Sequence, residues 1–306
     1  MTTPETNSEQ MATARKAMHG EISMVAMLSV LLLTILATLP GCGKQRDERA
    51  SENLSTLSRI QKDHAIHVAF IDYPPAVFRD TGDREVKGHF ADTIEEIIHQ
   101  LDPEIRIVYE ETTWADFTAA LNTHRVDLSI APTFATIPRA KLVSFTRPLV
   151  YLGQSAIVRA DDKRFQASSG PMQFDREDLK IGVVEGEASH EFVKANFKHL
   201  QSVVVFSGGD LSQCLAAVSA GQVDVGMSDA LETAKYSHAH KDVIDLFGQQ
   251  PYNLTPIAWA VRQDDYAWRD FLNTALETLQ VHGKLAQFET RYGFSWMHEV
   301  REYRPR

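Results

Sequence analysis

Ala119-Ala120-Leu121-Asn122-Thr123-His124-Arg125-Val126-Asp127 and Ala216-Ala217-Val218-Ser219-Ala220-Gly221-Gln222-Val223-Asp224 are two versions of one nine-residue segment, 97 positions apart. Each reads as the end of an apolar helix face, a polar turn and the start of a strand. A supersecondary unit used twice predicts two α/β modules built on one plan. The surrounding order of elements agrees. Residues 66–71 are β-type, ended by Asp72-Tyr73-Pro74-Pro75. Ile94, Ile97, Ile98 and Leu101 fall at i, i+3, i+4 and i+7, one face of a helix that Pro103 ends. A second strand is expected at 105–109, a second helix at 113–121 with Thr113 as N-cap, and a third strand at 126–130. The later half repeats this with strands at 180–184 and 203–206. Its helices are expected at 191–197 and from Asp210, which has Gln213 at N3 and Gly221 closing the turn. Alternating strands and helices predict βαβ units and a largely parallel sheet. Residues 151–160 should cross into the second module and 257–261 should cross back. The helices at 268–279 and 285–292 would then rejoin the first module. The expected division is 65–154 with 256–306 as lobe 1, and 155–255 as lobe 2. Their facing strand ends would form one ligand cleft.

Composition narrows the class. A chain of 306 residues holds two modest domains or one large one, and 43% hydrophobic with 24% charged residues is ordinary for a globular protein. The formal net charge of −10 argues against nucleic acid, whose phosphates need a basic surface. Residues 24–39, MVAMLSVLLLTILATL, carry no charge. That is the length of a signal-peptide apolar region and short of the ~20 residues of a membrane-spanning helix. Arg15 and Lys16 precede it, and Leu39-Pro40-Gly41-Cys42 follows. The other cysteine, Cys214, sits in the apolar-spaced stretch LSQCLAAV and reads as a buried small residue rather than a nucleophile. Ser237-His238-Ala239-His240 reads as surface rather than metal ligands. With no phosphate loop, nucleophile elbow or HExxH present, no metal and no cofactor is expected.

A small residue followed by cysteine directly after an apolar run resembles the lipobox of bacterial lipoproteins. The resemblance implies a signal peptide at 1–41, cleavage before Cys42, acylation of its thiol, and a tether over 42–64. The body would lie in the periplasm or at the cell surface, held to the membrane by lipid. A plain signal anchor with an incidental cysteine is the alternative.

Within the body, several markers occur in a telling order. They are Asp72-Tyr73-Pro74-Pro75, Gly88-His89-Phe90-Ala91-Asp92, Val126-Asp127-Leu128, Thr136-Ile137-Pro138-Arg139, Ser144-Phe145-Thr146-Arg147-Pro148-Leu149 and the closing His282-Gly283-Lys284. Residues 66–294 resemble family-3 extracellular solute-binding proteins, the amino-acid receptors of ABC importers. The resemblance implies a periplasmic-binding-protein-like α/β fold with two lobes, mostly parallel sheets and a cleft. It implies a monomeric partner of an ABC permease that captures a small ligand bearing a carboxylate and an ammonium. Thr136 and Arg139 match the pair that holds the ligand carboxylate, a task suited to a guanidinium fork. Asp229 matches the ammonium acceptor, a role compatible with capping the following helix. Tyr73 matches the aromatic wall, with turn packing as its alternative. Trp114 is placed at the pocket mouth or in the core. The loop that usually supplies hydroxyls to the carboxylate is Gly186-Glu187-Ala188-Ser189, and Phe134 stands where serine is common, so the pocket departs from the usual amino-acid type.

A second resemblance is to exported cyclohexadienyl dehydratases of the same fold, through Ser228-Asp229-Ala230-Leu231-Glu232 and Gln249-Gln250-Pro251. It implies Glu232 as general acid on prephenate or arogenate, which needs a carboxyl with a raised pKa in a dry cleft. A ligand-sensing receptor without a transporter is a third reading. The expectation is a receptor, with Glu232 lining the site.

Overall fold

The computed structural model describes residues 55–248 and 250–293; the apolar segment, Cys42 and Gln249 lie outside the described residues. In chain order the elements are α1 (Thr56–Asp63), β1 (Ala65–Phe70), β2 (Phe78–Arg79), β3 (Val86–Lys87), α2 (His89–Leu101), β4 (Arg106–Glu111), α3 (Phe117–Asn122), β5 (Leu128–Phe134), α4 (Ile137–Ala140), β6 (Val143–Phe145) and β7 (Val150–Arg159). They continue as β8 (Lys180–Val184), α5 (Ala188–Asn196), β9 (Ser202–Phe206), α6 (Ser212–Ser219), β10 (Val225–Asp229), α7 (Ala230–Ala239), β11 (Val243–Asp245), β12 (Tyr252–Arg262), α8 (Tyr266–Val281) and α9 (Lys284–Tyr292).

The sheet runs β4-β1-β5-β12-β7-β10-β8-β9, a mixed α/β fold with parallel wings. β4, β1 and β5 are parallel in one wing, and β10, β8 and β9 in the other. Sequence patterning suggests a separate sheet for each module; the structure joins them. The reason is the length of β7 and β12, 10 and 11 residues, which pair antiparallel with each other and with one wing apiece. β7 meets β10 from Gln154 to Val158, and β12 meets β5 at Ile257, Ala258 and Ala260.

β5 is buried at every position, as a strand covered on both faces must be. α2 covers one face with Ile94, Ile97 and Ile98, and Phe90 meets Trp259 edge-on at 5.9 Å. α8 buries Trp268, Leu272, Leu276 and Leu279, and α9 packs on α2, so the C-terminal helices return to the first wing. Burying this many large apolar side chains contributes roughly 1.5–3 kcal/mol for each. The helix expected from Thr113 starts later, at Phe117. Thr113 nevertheless makes the contacts expected of a cap in the preceding turn: its hydroxyl oxygen accepts from Asp116 N at 3.2 Å and its carbonyl from Phe117 N at 3.1 Å.

The repeated segment folds the same way twice. Asp127 N donates to His67 O (2.8 Å) and Asp127 Oδ2 accepts from His67 N (3.0 Å). Asp224 N donates to Lys180 O (2.7 Å) and Asp224 Oδ2 accepts from Lys180 N (2.9 Å). Each aspartate thus clamps the first strand of its wing. Arginine completes both clamps: Arg59 on Asp127, Arg159 and Arg164 on Asp224. The preceding turn is shared too, with N–H groups of Arg125 and Val126 on Ala120 O and those of Gln222 and Val223 on Ala217 O. It places His124 at φ 59° and Gly221 at φ 68°.

That pair gives a test. A β-carbon at Gly221 meets nothing within 4 Å, so Gly221→Ala carries only the left-handed backbone penalty. We expect a loss of about 0.5–1 kcal/mol, seen as a lower urea midpoint. His124→Gly relieves the same strain and should leave the midpoint unchanged or raised. A Gly221→Ala protein as stable as the parent would show that this turn is not under strain.

Candidate functional site

The turn after β1 and the junction of β10 with α7 meet face to face. Asp229 ends β10 and caps α7, its Oδ1 accepting from Leu231 N and Glu232 N, each at 2.9 Å. The same oxygen accepts from the Tyr73 hydroxyl at 2.9 Å. Tyr73 lies edge-on to Trp114 at 6.4 Å, and Trp114 Nε1 donates to Gly209 O at 3.2 Å. Glu232, in the first turn of α7, is ion-paired with Lys235 one turn on. Lys235 Nζ also donates to Pro74 O at 2.9 Å and lies 5.5 Å from the Tyr73 ring centre. Tyr73, Trp114, Asp229 and Glu232 therefore share one buried place.

A second set forms where α4 meets α5. Thr136 caps α4, its hydroxyl oxygen 3.4 Å from Arg139 N. Arg139, 4% exposed, donates through Nε to Glu191 Oε1 (2.8 Å), through Nη1 to Phe134 O (3.1 Å) and through Nη2 to Gly186 O (2.5 Å). Thr136 Oγ1 donates to Glu191 Oε2 at 3.2 Å. The carboxylate expected on Thr136 and Arg139 is present, and it is the chain's own Glu191. Gly186 holds this junction closed. At φ 72°, a β-carbon there would sit 2.6 Å from Ala115 N, so no other residue fits.

Glu187 links the two sets. It caps α5, accepting from Ser189 N at 2.6 Å and from the Ser189 hydroxyl, and is 2% exposed. Burial holds its carboxyl above the usual range, against the Ser189 bonds and the charge of Arg139. Burial likewise raises Asp229, opposed by the Glu232 backbone bond and assisted by the charge of Glu187. Burial first, then the charge of Asp229, raises Glu232 despite Lys235. Tyr73 is pushed far up by burial and these same carboxylates.

Of the residues singled out from the sequence, the structure brings Tyr73, Trp114, Asp229 and Glu232 together and sets Thr136 with Arg139 in the second place. Glu191 and Lys235 join them and were not read from the sequence, nor was Gln154, which pairs with Asp229 across the sheet. Lys235 stands three residues after Glu232, the spacing of helix neighbours, and was legible in principle. Gln154 is the single amide in the apolar run of β7, a signal of the same kind. Glu191 gives none, because it lies 52 residues from its partner in the chain. Cys214 is fully buried, as its apolar setting predicts. Among the described residues no group of three or more His, Cys, Asp or Glu is placed to hold a metal ion, and no helix is long and apolar enough to cross a membrane.

Paired α/β wings joined by two crossing strands, with polar side chains meeting between them, define the periplasmic-binding-protein class. The chain belongs to the bacterial extracellular solute-binding proteins, family 3, whose model matches residues 66–295. It is 24% identical over 260 residues to a cyclohexadienyl dehydratase of Pseudomonas aeruginosa, covering 84% of this chain and 91% of that one. It is 24% identical over 264 residues to the glutamate-binding protein GluB of Corynebacterium efficiens, covering 83% and 85%. Among solved structures it is similar to an ancestral amino acid-binding protein described as a precursor of cyclohexadienyl dehydratase. The TM-score is 0.66 and identity 21%, over 78% of this chain and 99% of that one. The resemblances read from sequence to this family and to the dehydratases both stand.

Raised carboxyls set a pH dependence. In the folded state Asp229 and Glu232 bind protons more tightly than in the unfolded chain. Their stabilisation is therefore complete below about 4, the unfolded value. It is lost as pH rises through the folded values, the higher being about 7. Tyr73, Lys235, Glu187 and Asp210 act on the pair, and only Lys235 among them opposes the shift of Glu232. Melting temperatures of the parent and of Asp229→Asn/Glu232→Gln should converge near pH 4.5 and diverge towards pH 8, the variant being the more stable there. Parallel curves would show that neither carboxyl is perturbed.

Proposed function

We propose that this chain is an extracytoplasmic receptor that captures a small amino-acid-like solute by closure of two lobes. Lobe 1 comprises residues 65–154 and 256–306, and lobe 2 residues 155–255. β7 and β12 serve as the hinge. The observation that carries this reading is the hydrogen bond from the Tyr73 hydroxyl, after β1, to Asp229, at the end of β10. Ligand groups in a binding cleft must be reachable from both sides, and here the opposed side chains already touch. Asp229 receives the ligand ammonium, Tyr73 and Trp114 form the wall, and Glu232 lines the floor. Thr136 and Arg139 secure the closed form through Glu191. Closure removes water from these groups, which strengthens every charge pair inside. Delivery to an ABC permease and anchoring through an acylated Cys42 complete the proposal.

A second reading has one observation in its favour. Glu232 is largely covered, with its side chain 15% exposed, and its carboxyl is raised towards neutrality, the condition a general acid requires. One experiment separates the two. Full-length protein is denatured, and any released small molecule is identified by mass spectrometry. Its thermal melting is then followed with amino acids, prephenate and arogenate, beside Asp229→Asn and Glu232→Gln. A receptor is stabilised by its ligand and returns it unchanged. Asp229→Asn, which keeps the helix cap, should weaken that binding tenfold or more by removing the counter-charge. Repeated turnover of prephenate to phenylpyruvate, or of arogenate to phenylalanine, lost in Glu232→Gln, would establish the enzyme instead.

The anchor has its own test. Cys42→Ser should release the protein from membranes, since the thiol that carries the lipid is gone. Retention with an uncut N-terminus would mean a plain signal anchor.

A further inference from the structure

The charge around the closed site is unbalanced. Glu187, Glu191, Asp229 and Glu232 contribute four carboxylates, against the two cations Arg139 and Lys235. Both cations are committed. All three guanidinium nitrogens of Arg139 have partners, in Glu191 and the carbonyls of Phe134 and Gly186. Lys235 is held by Glu232 and Pro74 O. The Ser189 N–H and hydroxyl at the start of α5 are taken by Glu187. A ligand carboxylate would find no donor among these groups that is not already engaged by an acidic side chain or a carbonyl.

One buried side chain without a hydrogen bond lies at this place. Gln154 is fully buried, and both its amide atoms are without a hydrogen bond. In the antiparallel ladder it stands directly opposite Asp229, and opposite Tyr252 on its other side. Residues so paired share a face of the sheet with β-carbons about 5 Å apart. The orphan amide therefore lies beside the buried acid at the cleft floor. A buried amide without partners is unfavourable by several kcal/mol, as are neighbouring buried carboxylates without a cation.

We propose that the site takes a small organic dication, bearing amine or guanidinium groups and no free carboxylate, with Asp229 and Glu187 as counter-charges and the Gln154 carbonyl as a neutral acceptor. The inference rests on the receptor reading above and names its ligand class. Two positive charges balance the excess of carboxylate. The N–H groups of the ligand find acceptors, and the Gln154 carbonyl oxygen gains the donor it lacks. Arg139 then acts as a latch to Glu191 rather than as a hand on the ligand.

The test is a matched series measured by calorimetry on full-length protein: agmatine and cadaverine, their carboxylated counterparts arginine and lysine, and glutamate. Agmatine or cadaverine should bind at least tenfold more tightly than its counterpart, and glutamate should not bind. Glu187→Gln should weaken the dication at least tenfold. Gln154→Met should weaken it severalfold while the melting temperature of the ligand-free protein stays level or rises, because an unpaired buried amide has been removed. A purely structural glutamine would lose stability and leave affinity unchanged. Binding of arginine, lysine or glutamate without their decarboxylated counterparts overturns the inference and leaves the receptor reading standing. Binding of none of the five, with no small molecule released on denaturation, overturns both.

Discussion

One carboxylate oxygen ties the fold to the site. Asp229 Oδ1 caps α7 through two backbone N–H groups and accepts from Tyr73 across the cleft. The cap is a local requirement of any helix start. The bond from Tyr73 is a long-range one, joining residues 156 apart. Because both use the same atom, the group that terminates β10 is fixed in direction by the backbone before any ligand arrives. On the proposed reading such a preorganised acceptor loses little freedom on binding, which is where affinity is gained. The two strand clamps, Asp127 on His67 and Asp224 on Lys180, do the same at the opposite end of each wing. They leave the crossing strands β7 and β12 as the continuous connection.

How far the sequence carried this structure depends on the range of each interaction. The duplicated helix–turn–strand unit was legible because its requirements are local: a helix end, a left-handed residue and a clamp aspartate recur in fixed order. The faces of α2 and α8 were legible by period. Thr113 was legible as a capping residue, and its hydroxyl does accept from Asp116 N, but the regular helix begins only at Phe117. The joining of two modules in one sheet was not legible, since strand length alone does not say what lies on either edge. Matching to a family pattern located Arg139, yet its partner Glu191 depends on how α4 and α5 are set against each other. Glu187 was visible as a departure from pattern, but its burial was not.

These departures share a direction. Where a carboxylate-binding site would present free donors, this chain supplies its own acidic side chains, Glu191 to Arg139 and Glu187 to the first turn of α5. A negative charge suits the start of a helix, so Glu187 is locally favourable there. Globally it adds a buried charge beside Asp229. Local and global preferences conflict, and such conflicts concentrate where a protein does its work.

The conflict also bears on how closure is governed. The contact between Tyr73 and the raised carboxyls of Asp229 and Glu232 is held partly by protons on those groups, so a neutral or alkaline medium weakens it. On the proposed ligand class, a cation replaces those protons and removes the repulsion among Glu187, Asp229 and Glu232. Stabilisation by such a ligand then grows with pH over the window in which the protein alone loses stability, because both effects follow from the same ionisations. The Arg139–Glu191 pair lies apart from these carboxyls, at the α4–α5 contact. On the proposed reading it holds the lobes in register while the acidic centre takes up the ligand.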